Sequence, residues 1–368
     1  MKKIDTSGLR KLVSLVLALS MTLSLTTFPA LAADKVTAPS GMVVVEQTDH
    51  AIADGVTETD VFLNTADGNS QIAGFMMTVE PGAKATFKAS YTGYYTSKSA
   101  SERQEIAKNM KWAMSKPTDQ AKAYEAATAG NVLAVTNGDY FNMQTAQPLG
   151  YLIMEGNIVQ ERNEPYFAVL KGGGYAIRKA GTDASDVLEA ISGPFLLLEN
   201  GQNLMGSNAR DLAPRNSIGL KADGTVVTFV ADGRQYPYSV GMSLYDQAEF
   251  LRAQGVVTAI YLDGGGSAML ATKREGTTDL TIRSSPSDGV ERTVSSALLL
   301  VSTADQDGKF DHASLSPNNQ LYTPGSQVQF TATGVDAAGG PADLPTEGLT
   351  WKLENFIAGS INETGLFT

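Results

Sequence analysis

Two segments of this chain join carboxylates to glycines in patterns that can do chemistry. In Asp263-Gly264-Gly265-Gly266-Ser267 a carboxylate follows the apolar run Ala259-Ile260-Tyr261-Leu262. A buried strand gives such a carboxylate a rigid mount, and the glycines let backbone N–H groups approach an anion closely. Ser267 adds a hydroxyl donor; the bland reading of the same five residues is a flexible turn. In Asn137-Gly138-Asp139-Tyr140-Phe141 a second polar loop follows Val132-Leu133-Ala134-Val135. Asn-Gly is a common turn, so this loop draws its interest from coincidence. Were the two strands neighbours, both loops would open on one edge of a sheet. Arg215, in Ala213-Pro214-Arg215-Asn216-Ser217, has the fork geometry for a bidentate phosphate contact. A lone Arg is more often a surface ion-pair partner. Asp232-Gly233-Arg234 follows the strand-like Thr225–Val230 and sets an acid and a base side by side.

The elements that must position these residues form, by their patterns, one α+β domain from Val61 to about residue 302. Its expected architecture is a mixed, largely antiparallel sheet flanked by helices. Helical spacing of Ile106, Met110 and Met114 predicts a helix over Ser101–Met114, broken by Pro117. A second is expected over Asp119–Ala129 and a third from the Ser243 cap to Gln254, with Asp246 at the capping-box position. Gly-rich or Asp-Gly turns between apolar runs predict three hairpins: Tyr151–Met154 with Ile158–Gln160, Phe167–Leu170 with Tyr175–Arg178, and Ser217–Leu220 with Thr225–Val230. Residues 33–60 read as a leading segment and linker, and residues 303–313 as a second linker. Beyond these, Leu315-Ser316-Pro317, the alternating Gln327–Thr333 and Trp351-Lys352-Leu353 predict a partial immunoglobulin-like module over 314–368, since a full one needs about 100 residues.

The N-terminus sets the compartment. Lys2, Lys3, Arg10 and Lys11 precede an apolar run from Leu12 to Leu25, and Ala30-Leu31-Ala32 supplies a small-residue cleavage site. Residues 1–32 are therefore expected to be a signal peptide, too short for a membrane span, and the protein secreted or held at the cell surface. The chain carries 28 basic and 39 acidic residues for a net charge of −11. Loss of the leader removes four basic residues and one acid, which makes the mature chain more acidic still. Such a surface repels polyanions and argues against nucleic-acid partners. With no Cys, thiol catalysis and thiolate metal sites are excluded, and two His, His50 and His312, supply a histidine triad or multi-His metal site poorly. Clustered carboxylates and carbonyls would suit Ca²⁺ or Mg²⁺, although no EF-hand spacing occurs and no cofactor is required.

Six segments then fall in an informative order: 137–141, Pro148-Leu149-Gly150, 214–219, 230–234, 241–244 and 262–267. Together they resemble the domain of the phosphodiester glycosidase family, which includes the lysosomal uncovering enzyme. Arg292 to Leu298 resembles the family's closing Arg-x-Val-x-x-Ala-Leu strand. Asp139 stands where the family often has Gly, and Ser296 where it often has Asn. The resemblance implies hydrolysis of the bond between an anomeric carbon and a phosphodiester oxygen, with a glycan or sugar phosphodiester as partner. On that basis Asp263 is the expected catalytic carboxylate, as base or nucleophile. Arg215 and the amides of Gly264, Gly265 and Gly266 would cradle phosphate, and Asn137 would orient the substrate. Ser267, Asp139, Asp232 and Arg234 are further binding candidates, and the C-terminal region is a candidate for cell-wall association. The competing reading is a non-catalytic envelope module that binds phosphorylated glycans.

Overall fold

The computed structural model describes residues 35–368, apart from 66–67, 97–98, 100, 103–104, 106–111, 180, 318–321 and 354–357. The expected leader and most of the expected helix over 101–114 lie outside the described residues. Among the described residues, strand makes up 41% and helix 10%. This overturns the expectation of a helix-flanked α+β fold. Among the described residues there are two α-helices, Pro117–Thr128 and Leu244–Ala253, set against several antiparallel sheets. The reason lies in how the core is filled. Ile52, Met77, Phe87, Leu133, Phe167, Ile218, Ile260 and Leu298 belong to strands of three different sheets, yet they pack in one buried cluster. Sheet against sheet supplies most of the interior, so helices are needed only at the outer faces.

The largest sheet has eight strands, and its centre sets the site. The strand Arg215–Lys221 lies between Val226–Ala231 and Val256–Leu262, antiparallel to both. Both neighbours present apolar side chains on each face, as strands covered on two sides do. The first two strands of this sheet, Met42–Ala53 and Val56–Thr65, begin within the expected entry segment 33–60, and the second pairs with Gln71–Val79. The helix Leu244–Ala253 covers its outer face with Ala248, Phe250 and Leu251, and Phe250 stacks on Phe229 at 4.3 Å. Ser243 caps that helix by accepting the Asp246 N–H at 3.1 Å, as its capping-box spacing predicts.

A five-stranded sheet holds Val132–Asn137 between Leu270–Thr272 and Ser296–Ser302. The third sheet, also five-stranded, contains two of the predicted hairpins, Leu152–Met154 with Asn157–Gln160 and Tyr166–Leu170 with Tyr175–Arg178. Gly193 and Pro194 leave this sheet directly against the strand below Asp263. A Cβ on Gly193 would stand 1.7 Å from the Tyr261 carbonyl oxygen, an approach that only glycine permits.

Past residue 311 the strands are short. His312–Ser316, Thr331–Val335 and Pro341–Ala342 form one small sheet, and Val328–Gln329 pairs with Leu366–Phe367. Residues 351–353 lie outside any strand. This region is tied to the main body by Asn131 Nδ2 donating to the Ala338 carbonyl at 3.2 Å and by His312 paired with Glu275 at 3.1 Å. No helix among the described residues is long and apolar enough to cross a membrane.

Candidate functional site

Asp263 follows the last residue of the strand Val256–Leu262, and Asn137 ends the strand Val132–Asn137. These strands lie in different sheets, so they do not share an edge as neighbours would. Their ends meet instead. The Asp263 N–H donates to the Gly138 carbonyl at 3.0 Å, and Asn137 Nδ2 donates to the Asp263 carbonyl at 2.7 Å. Asn137 Oδ1 accepts from Asn216 Nδ2 at 2.9 Å and from the Met269 N–H at 3.1 Å. The Asn137 side chain is fully buried and is spent tying three segments together. Ser296, where the family often has Asn, packs against Gly138, and its buried hydroxyl has no partner among the described residues.

Asp263 itself is 9% exposed. Burial pushes its pKa up to about 6, opposed by the Ser267 hydroxyl, Arg292 and the Gly264 N–H. The glycines after it are fixed by what surrounds them. A Cβ on Gly264 would stand 2.1 Å from Tyr261 Oη, and one on Gly266 would stand 2.1 Å from Arg292 Nη2. Gly265 has φ +58° and donates its N–H to the Pro214 carbonyl at 2.9 Å, so that amide is already engaged.

Three arginines approach this loop with different freedom. Arg215 is buried, and its Nε, Nη1 and Nη2 donate to the Met242 carbonyl, Tyr261 Oη and the Asp211 carbonyl at 2.8, 3.2 and 2.6 Å. Arg292 donates to Asp288 Oδ2 at 2.7 Å and to Ser267 Oγ at 3.2 Å. Arg234 is exposed, and its Nη1 would lie 3.3 Å from a Cβ on Gly265. Its guanidinium makes no hydrogen bond or ion pair among the described residues, which leaves its five donors for an anion. Its backbone is left-handed, φ +61°, a conformation held by the Arg234 N–H on the Val240 carbonyl at 3.3 Å.

The remaining acids divide in two. Asp232 is committed internally: Oδ2 accepts from Tyr238 Oη at 2.9 Å and from the Ser285 N–H at 2.7 Å, and burial still pushes its pKa up to about 7. Asp139 accepts the Tyr140 N–H at 2.7 Å through Oδ1. Burial holds Asp139 well above the ordinary carboxylate range; the N–H groups of Tyr140 and Gly150 oppose this, and the charges of Asp263 and Glu164 add to it. Although the Gly150 N–H is near, Asp139 Oδ2 makes no well-formed hydrogen bond.

The structure thus gathers Asp263, Gly264, Gly265, Gly266, Ser267, Asn137, Asp139, Arg215 and Arg234 about one loop, whereas the Asp232 carboxyl is bonded to Tyr238 and Ser285. Sequence reasoning passed over Arg292, Asp288, Tyr261 and Glu164. Arg292 had a signal, since it opens the closing-strand motif; Glu164 sits in an unremarkable polar stretch and had none. Neither His is here: His50 pairs with Asp60 at 3.3 Å, and His312 with Glu275 and Asp311. Ligand atoms of His50, Glu58 and Asp60 lie within 4.8 Å of one another, as metal ligands would. However, Arg274 reaches Glu58 at 2.6 Å and Asp60 at 3.2 Å, and Arg283 stands 3.5 Å from Glu58. Two arginines already balance those two carboxylates, so the group does not call for a cation.

Residues 130–301 match the family described as phosphodiester glycosidase. N-acetylglucosamine-1-phosphodiester alpha-N-acetylglucosaminidase of Mus musculus is 27% identical over 199 residues, and the Homo sapiens protein of the same name 29%. Each match covers 46% of this chain, which spans about a third of those relatives' length, 36%. The auto-inhibited catalytic domain of the zebrafish protein of that name superposes with a TM-score of 0.50 at 20% identity, over 70% of this chain and 88% of its own. That likeness is one of fold.

Proposed function

We propose that this protein is a secreted hydrolase that cleaves the glycosidic bond of a sugar-1-phosphodiester of the N-acetylglucosamine-1-phosphodiester type. The observation that carries this reading is Asp263: a buried carboxyl with its pKa at about 6, on a strand end, beside glycines and the free guanidinium of Arg234. A phosphate monoester is a good leaving group, so the reaction makes little demand on a general acid. Asp263 acts as base or nucleophile. As base it takes a proton from water while the water oxygen bonds to the anomeric carbon and the phosphate departs with the electrons of the broken C–O bond. As nucleophile it forms a glycosyl ester that water then hydrolyses. Arg234 and Arg292 hold the phosphate, Arg234 in the bound substrate and the transition state alike. Arg215 shapes the loop from within. Export through the leader, and a partial immunoglobulin-like module that keeps the enzyme at the cell wall, belong to the same reading.

The direct test is release of free sugar from a synthetic N-acetylglucosamine-1-phosphodiester. Arg234→Ala is expected to raise KM about tenfold with a smaller change in kcat, because it removes a contact made to ground state and transition state alike. Equal losses in kcat and kcat/KM would place Arg234 in the transition state only. Binding of the phosphodiester that survives Asp263→Ala, with no turnover by native protein, would favour the non-catalytic envelope module.

Activity and stability should move in opposite directions with pH. Asp263 must be ionised to act, so turnover falls as pH drops through about 6. Asp232 and Glu189 are both pushed up to about 7 by burial. Unfolded carboxyls titrate near 4, so between about pH 4 and 7 the folded state binds more protons than the unfolded one. The stability this contributes is full below the lower value and is lost as pH rises through the upper. The thermal midpoint should therefore rise as pH falls from 7.5 to about 5.5. A flat or inverted profile measured by circular dichroism would contradict it.

A further inference from the structure

We propose that the pocket bounded by Asp139, Tyr140, Leu149, Glu164, Pro194 and Phe195 seats the sugar ring of the substrate, an inference that rests on the reading of Asp263 above. The pocket encloses about 280 Å³, just below the range for drug-sized ligands and closer to the scale of one sugar ring. Its walls combine flat aromatic surface with carboxyl groups. Phe195 stacks on Tyr261 at 5.3 Å and 7° between planes, and Tyr140 meets the same ring at 6.1 Å. Tyr261 thus holds both lining aromatics in place. Aromatic surface suits the C–H face of a pyranose, and the ring hydroxyls need fixed polar partners.

Those partners are Asp139 and Glu164. Asp139 is 4% exposed, and its Oδ2, like Glu164 Oε2, is buried without a well-formed hydrogen bond. A buried polar atom left so is costly, and no basic side chain lines the pocket to relieve it. Hydroxyl groups relieve both, because each can donate to one oxygen and accept from a protonated one. Burial holds the Asp139 carboxyl above the ordinary carboxylate range. The Pro148-Leu149-Gly150 segment maintains this space, since a Cβ on Gly150 would stand 2.3 Å from Asp139 Oδ2. The pocket also lies on the reacting side: Asp139 and Tyr140 both sense the charge of Asp263, whereas Arg234 and Arg292 flank the glycine loop. Sugar on one side and phosphate on the other would bring the anomeric carbon to Asp263.

Two probes separate the halves of the substrate. N-acetylglucosamine carries no phosphate, and dimethyl phosphate carries no sugar. Binding of each to the full chain is measured by calorimetry for native protein, Leu149→Trp and Glu164→Gln. Leu149 is 45% exposed, so an indole there can fill the pocket while the fold is kept, which a melting curve checks. The expected result is a rise in the sugar Kd of at least about tenfold in both variants, with the dimethyl phosphate Kd unchanged within about twofold. Sugar binding that neither variant alters overturns the proposal, as does Ca²⁺ binding by native protein that Glu164→Gln abolishes. Sugar binding with the expected variant pattern, in a protein that hydrolyses no sugar-1-phosphodiester, leaves the pocket in place and removes the catalytic reading instead.

Discussion

Asp263→Ala is expected to lower turnover of a sugar-1-phosphodiester by more than about a hundredfold, or about 2.7 kcal/mol of transition-state stabilisation, with the fold intact. The two halves of this expectation have one cause. Burial raises the Asp263 pKa to about 6, so the ionised carboxylate is less stable in the folded protein than in water at neutral pH. Removing it relieves that cost, and the thermal midpoint at pH 7.5 should hold or rise slightly. The Gly138 and Asn137 contacts to Asp263 use its backbone, which alanine retains. A variant that melts as the native protein does yet turns over normally would remove Asp263 from the chemistry.

Asn137→Ala is expected to cost about 3 kcal/mol of stability and to depress turnover with it. The substitution leaves the Asp263 carbonyl, Asn216 Nδ2 and the Met269 N–H without their common partner in a fully buried place. Each orphaned group costs on the order of 1–3 kcal/mol, lessened where the neighbours relax or water enters. Asn216 Nδ2 keeps Thr136 Oγ1 at 2.8 Å, which limits its share. Because Asn137 touches the backbone beneath Asp263, turnover should suffer in kcat more than in KM. Asn137→Asp is the informative control: it keeps an acceptor for Met269 but offers no donor to the Asp263 carbonyl. Urea unfolding reads the stability, and a loss below about 1 kcal/mol for Asn137→Ala would show that the strand ends are held by other contacts.

The likeness to the phosphodiester glycosidase family was legible because it is written in local segments. The glycine loop after Leu262, the Asn-Gly loop after the run of 132–135 and the Arg-x-Val-x-x-Ala-Leu strand each lie within a few residues of chain. The Ser243 cap and the hairpin turns were legible for the same reason, since a turn or a cap is decided by its own residues. The balance of helix and strand was not. Each hairpin signal was local, but the outcome depended on three sheets burying one another, as Phe87, Phe167, Ile218 and Ile260 do in a single cluster. Likewise the sequence marked Arg215 as the phosphate ligand and set Arg234 behind it. In the fold, Arg215 spends its donors on backbone carbonyls and Tyr261, while Arg234 stands free beside Gly265. Which guanidinium is free is settled by partners 27 and 46 residues away in the chain for Arg215, and by the turn that aims Arg234 at the loop. The kinds of groups at the site follow from local sequence; which of them face a ligand, and which hold the others in place, follows from long-range packing.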